Sequence, residues 1–335
     1  MSGSSLAEWA TSEKSVGLTA RVAARLGCGE QSVADVKECL KEKSVEELLE
    51  AVTVVHEPHD FSIGQFSPRI DGAFFAAAHE RLIAGGPPKR SLITTVENDG
   101  ILFTLLGAPP AFSGLSLSAA QRAAWSAADF EAVVREKVAP AAAFGEDAAA
   151  IQARILDFYV YSSNRTKDRL FFLEQYAKLT SDLLVVVPQL REVREKRRSG
   201  WPVFLSKHTH FMPPVDFFTG RLPVDAPQQT THGYEYGVLF ETRSSPPNRT
   251  ADDLRFQKNL LEMFVSFVKN GTPHSQFEAV SAERPLVYAE ISTAVRLRNG
   301  LSGEELHFFD RFLDDFDFDL VRGGHTKTRS SRTEL

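Results

Sequence analysis

Hydrophobic residues in this chain fall into two kinds of pattern, spaced for helices or bunched for strands. Leu18, Val22 and Leu26 recur at i, i+4 and i+8, with Gly27 placed to end the helix. Ser32 is positioned to cap a second helix carrying Val33, Val36 and Leu40, and Ser44 with Glu47 forms a capping box for a third. The segment Phe66-Ser67-Pro68-Arg69-Ile70-Asp71-Gly72 is turn-rich. A β-branched run, Ser91-Leu92-Ile93-Thr94-Thr95-Val96, predicts a strand ending close to Asp99. Residues 117–200 are mostly helical, first Ala-rich to about 154 and then over 170–198. Residues 202–206 predict a second strand, 252–269 a helix, 286–291 a late strand and 306–313 a final helix. Phe316 and Phe318 alternate with Asp315, Asp317 and Asp319, the pattern of a half-exposed edge. Strands separated by long helical blocks predict an α/β layered domain over residues 1–321, with 322–335 a polar tail.

Composition narrows the field. The chain has 335 residues, 43% hydrophobic and 24% charged, with a net charge of −6, so it can bury a large core and gives no reason to expect nucleic acid. No apolar run reaches the ~18–20 residues of a membrane span. The basic cluster Arg194-Glu195-Lys196-Arg197-Arg198 suits a solvated helix end, where it complements the dipole. Cys28 and Cys39 are the only cysteines; the residues alone leave open a disulfide or two buried thiols. If bonded, they close a loop worth roughly 2.5–3 kcal/mol in the chain-entropy account. Asn164, Asn248 and Asn270 head glycosylation sequons, the last weakened by Pro273. The chain ends Arg332-Thr333-Glu334-Leu335, close to an endoplasmic-reticulum retention signal. No signal peptide precedes it at Met1, so a luminal address implies an upstream segment that supplies one.

Candidate chemistry lies in two loops. Asn98-Asp99-Gly100 follows the first strand, and His232-Gly233 sits in the polar segment Thr231-His232-Gly233-Tyr234-Glu235. An acid and then a histidine fit the end of a Ser…Asp/Glu…His order, in which the carboxylate fixes the tautomer of a general-base imidazole. Glu97 is the rival acid, because residues two apart in extended chain point the same way. No G-x-S-x-G turn for the nucleophile occurs anywhere. His208 and His210 lack an accompanying carboxylate or thiol cluster in the sequence, which favours structural roles over a metal. Asp182 is expected to be a hydrogen-bonding scaffold residue.

These segments together resemble the carboxylesterase type B family, which includes cholinesterases and neuroligins. The similarity runs through Met1-Ser2-Gly3-Ser4-Ser5-Leu6-Ala7-Glu8-Trp9-Ala10, Leu26-Gly27-Cys28 with Cys39-Leu40, and Phe66-Ser67-Pro68-Arg69-Ile70-Asp71-Gly72-Ala73-Phe74-Phe75. It continues in Val96-Glu97-Asn98-Asp99-Gly100 with Phe103, Ser181-Asp182, residues 201–208 and His232-Gly233-Tyr234-Glu235. The resemblance implies the C-terminal part of an α/β-hydrolase fold, a Cys28–Cys39 disulfide, Asp99 as triad acid in place of the usual Glu, and His232 as base. It implies carboxylic esters as substrates once an N-terminal part completes the site, with no cofactor and no metal. The serine and the oxyanion hole have no counterpart here, and loss of the nucleophile costs about six orders of magnitude, near 8 kcal/mol. The chain by itself is therefore expected to be inactive. The alternative is a non-catalytic, neuroligin-like binding protein. Either way, the first strand is expected to show an unpaired edge beside uncovered apolar surface.

Overall fold

A computed structural model describes residues 3–29, 32–55, 61–106, 114–212, 223, 225–240 and 249–325. Four strands form one sheet in the order β1 (Ser91–Val96), β2 (Val203–His208), β3 (Tyr288–Ile291) and β4 (Val295–Arg298). The first three run parallel and β4 returns antiparallel to β3. In register, Ser91 lies opposite Val203 and Val96 opposite His208, so the ends of β1 and β2 meet at one level.

Alternation explains why both faces of this sheet are covered. Leu92 and Phe204 point to one side and join Phe256, Leu260 and Met263. Ile93 and Leu205 point to the other and join Val186, Leu190 and Val193. The first group sits on α13 (Ala251–Asn270), the second on α11 (Val187–Arg198) and the turn of helix just before it, giving the helix–sheet–helix layering of an α/β domain.

The helical block predicted at 170–198 is α10 (Arg169–Ser181) running into α11 through one wide π-type turn at Asp182–Val186. Pro188 follows that turn and has no N–H to give the preceding one, so the helix widens there instead of breaking. Asp168 caps the start by accepting from Phe171 N. The Ala-rich stretch, by contrast, is divided into α6 (Ala119–Ala124), α7 (Ala127–Val133), α8 (Ala141–Phe144) and α9 (Ala148–Leu156), punctuated by Pro140 and Gly145. The final helix, α14 (Gly303–Phe316), contributes Phe308, Phe309 and Phe312 to the largest core.

Near the start, α1 (Lys14–Arg25) and α3 (Val45–Val54) form a small satellite core from Leu18, Val22, Ala51 and Val55. The Ser44–Glu47 capping box is formed, and Ser32 accepts from Asp35 N at the head of α2 (Val33–Lys41). Nothing in α2 is buried, Val33 being 88% exposed, so its apolar stripe does not face a core as its spacing predicts. The Cys28–Cys39 disulfide is what ties α2 to the body.

Two other expectations change. Phe318 does not lie on a half-exposed edge; it is 6% exposed and meets Phe144 edge-on. Residues 322–325 are not loose tail, since Gly324–His325 pairs with Phe318–Asp319 and Arg322 bonds Glu80. Residues 326–335, with the terminal tetrapeptide, and Asn248 lie outside the described residues. The free edge of β1 carries no strand among the described residues. Beside it opens an apolar groove of about 680 Å³ between α12 (Tyr234–Phe240) and α13, lined by Phe240, Leu261, Phe264 and Val268. Among the described residues no helix is long and apolar enough to cross a membrane.

Candidate active site

Asp99 sits just past the C-terminal end of β1, the side of a parallel sheet where sites collect. It precedes α5 (Gly100–Thr104), a short helix lying directly on α10. At Gly100 the backbones approach so closely that an added Cβ would stand 1.9 Å from Ala177 O. This contact fixes the acid against α10, most of whose residues are buried.

Only 1% of Asp99 is exposed, and both of its oxygens are engaged. Oδ2 accepts from Thr95 Oγ1 at 2.8 Å, and Oδ1 lies 2.8 Å from His232 Nδ1, 133 residues away. A carboxylate in that position selects the tautomer with its proton on Nδ1 and leaves Nε2 as the basic nitrogen. Phe103, one turn into α5, lies 5.3 Å from the imidazole ring. Gly233 follows with φ of +75°, a turn that an L side chain resists, and α12 starts immediately after it. Burial works to lower the His232 pKa, but the hydrogen bond and charge of Asp99, helped by Glu235, hold it above the ordinary histidine value.

Glu97 is engaged elsewhere. Its Oε2 accepts from Thr230 N at 3.1 Å, while its own N donates to Thr230 Oγ1 at 2.9 Å. The alternation argument that made it a rival acid fails because the chain leaves the strand at Val96, so Asp99 is placed by a turn and not by the pleat.

The remaining candidates divide. His208 is fully buried at the end of β2, and burial pushes its pKa down. His210 does have a carboxylate: its Nε2 lies 2.7 Å from Asp253 Oδ1, a residue of the Thr250–Asp253 capping box of α13. Among the described residues no group of three or more His, Cys, Asp or Glu could hold a metal ion. Asp182 accepts from Tyr159 Oη at 2.8 Å and Lys178 Nζ at 2.9 Å, which joins two helices. Asn164 and Asn270 are both exposed. Among the described residues no serine, threonine or cysteine side chain bonds the His232 ring. The sequence did not single out Thr95 or Thr230; a hydroxyl four residues before the acid was the available signal for Thr95.

The sequence pattern of the carboxylesterase family matches residues 1–309. The chain is similar to gut esterase 1 of Caenorhabditis briggsae, 27% identical across 99% of this chain and 59% of that protein. It is similar to gut esterase 1 of Caenorhabditis elegans, 28% identical across 100% of this chain and 60% of that protein. Acetylcholinesterase of Bungarus fasciatus is 25% identical across 81% of this chain and 42% of its own length. The chain thus spans about three fifths of the gut esterases it matches, 59% and 60%.

Proposed function

Because this chain belongs to the carboxylesterase family, we propose that it supplies the acid–base half of a site that hydrolyses carboxylic esters. The supporting observation is the 2.8 Å contact between His232 Nδ1 and a buried Asp99 that Thr95 also holds. In this reading Nε2 takes the proton of an attacking hydroxyl and returns it to the leaving alcohol, while Asp99 keeps the tautomer and stabilises the imidazolium. The hydroxyl and the oxyanion donors would come from polypeptide outside these 335 residues, since no G-x-S-x-G turn is present. The raised His232 pKa helps a proton acceptor and sets the pH below which the base is lost.

A secretory setting accompanies the proposal, supported by the Cys28–Cys39 disulfide and the exposed Asn164 and Asn270. The test is a chimera in which this chain replaces the matching stretch of a gut esterase. It should hydrolyse a nitrophenyl ester, lose about four orders of magnitude with Asp99→Asn, and lose more with His232→Ala. A folded chimera with no hydrolysis, or hydrolysis unaffected by His232→Ala, would refute the proposal.

A further inference from the structure

We infer that Glu97 and Thr230 are positioning residues that clasp the acid-bearing segment to the base-bearing loop and set the Asp99–His232 contact. The inference rests on the proposed roles of Asp99 and His232 and adds how they are held in place. The two segments lie in register: Glu97 meets Thr230 and Asp99 meets His232 at the same separation of 133 residues. Three further bonds join them. Glu97 N donates to Thr230 Oγ1 at 2.9 Å, Asn98 N to Thr230 O at 3.1 Å, and Asn98 Nδ2 to Gln229 Oε1 at 3.2 Å.

Thr230 is fully buried, and its single hydroxyl proton goes to the shorter of two acceptors, His208 O at 2.9 Å against Glu97 Oε2 at 3.3 Å. The hydroxyl therefore ties three segments at once: the end of β1, the end of β2 and the histidine loop. A slip of one residue at the clasp would carry His232 away from Asp99, because the offset is common to both pairs. Glu97 keeps its carboxylate occupied by Thr230 N, which also removes it as a competitor for the imidazole.

The test follows the pH dependence of ethoxyformylation at His232 in the full chain, read by mass spectrometry. The His232 side chain is 22% exposed and accessible to the reagent, whereas fully buried His208 serves as the unreactive control. Wild type should show a midpoint above that of an ordinary histidine. Thr230→Val, which keeps every charge around the ring including Glu235, should shift the midpoint down, and Thr230→Ser should restore it. Should Thr230→Val not fold, Thr230→Ala carries the same expectation without an added methyl. An unchanged midpoint in the folded Val or Ala variant overturns the clasp. Asp99→Asn separates the two ideas: if it leaves the midpoint unmoved, the dyad itself is wrong, whatever Thr230 does.

Discussion

Gly100→Ala is the most demanding test of how the acid is held. The added Cβ would lie 1.9 Å from Ala177 O and 2.7 Å from Ser181 N, both backbone atoms of α10. Ordinary contact begins at 3.4 Å, so α5 and α10 must separate by roughly 1.5 Å. Two effects compete. Alanine is the better helix former by about 0.5–1 kcal/mol. Overpacking costs about 1–3 kcal/mol, and more when backbone has to move. Because neither obstructing atom belongs to a flexible side chain, the clash dominates and the net loss is about 2–3 kcal/mol. Unfolding entropy for 335 residues scales to roughly 0.7 kcal/mol/K, so the melting temperature should fall by about 3–4 °C. Calorimetry measures the shift. Ethoxyformylation of His232 supplies the second reading, because displacing α5 also displaces Asp99. A variant that melts at or above wild type would refute the close approach, and with it the account of how the acid is fixed.

Two other outcomes follow from the site and its surroundings. His232 has a folded pKa raised above the ordinary 6.5, so its contribution to stability is complete below 6.5 and disappears as pH rises through the folded value. His208 acts oppositely: its lowered pKa costs stability as pH falls below 6.5. Urea unfolding across this window should show Asp99→Asn removing the first dependence and sparing the second; parallel wild-type and variant curves would contradict that. The apolar groove beside β1 should make the chain self-associate, and Val268→Lys, at a position 81% exposed, should reduce association in sedimentation velocity. A monodisperse wild-type monomer would argue against it.

What the sequence disclosed depended on the range over which each cause acts. Local causes were legible: the Ser44–Glu47 box, the helical block over 170–198, and the β-branched run ending before Asp99. Motif resemblance added the Asp99–His232 pairing, which spacing alone could not, because 133 residues separate the partners. Long-range causes were not legible. The carboxylate for His210 comes from Asp253, 43 positions on. Phe318 is buried because Phe144 waits for it across the fold. Val33, Val36 and Leu40 form an apolar stripe by spacing, yet no facing element exists among the described residues to bury α2. The choice of Asp99 over Glu97 depended on where the strand stops, a boundary that alternation does not define.

Apart from Glu174 and Lys178, every residue from 171 to 193 is buried, so the helix formed by α10 and α11 has almost no wet face. Such a segment should exchange its amide protons only through global opening, whereas α2, which buries nothing, can unwind locally on its disulfide tether. Through the glycine contact, the acid is moored to the slowest-opening part of the fold. The carboxylate should thus hold its place through the ordinary breathing of the periphery, and the imidazole loop becomes the half of the pair whose excursions govern how often the two meet.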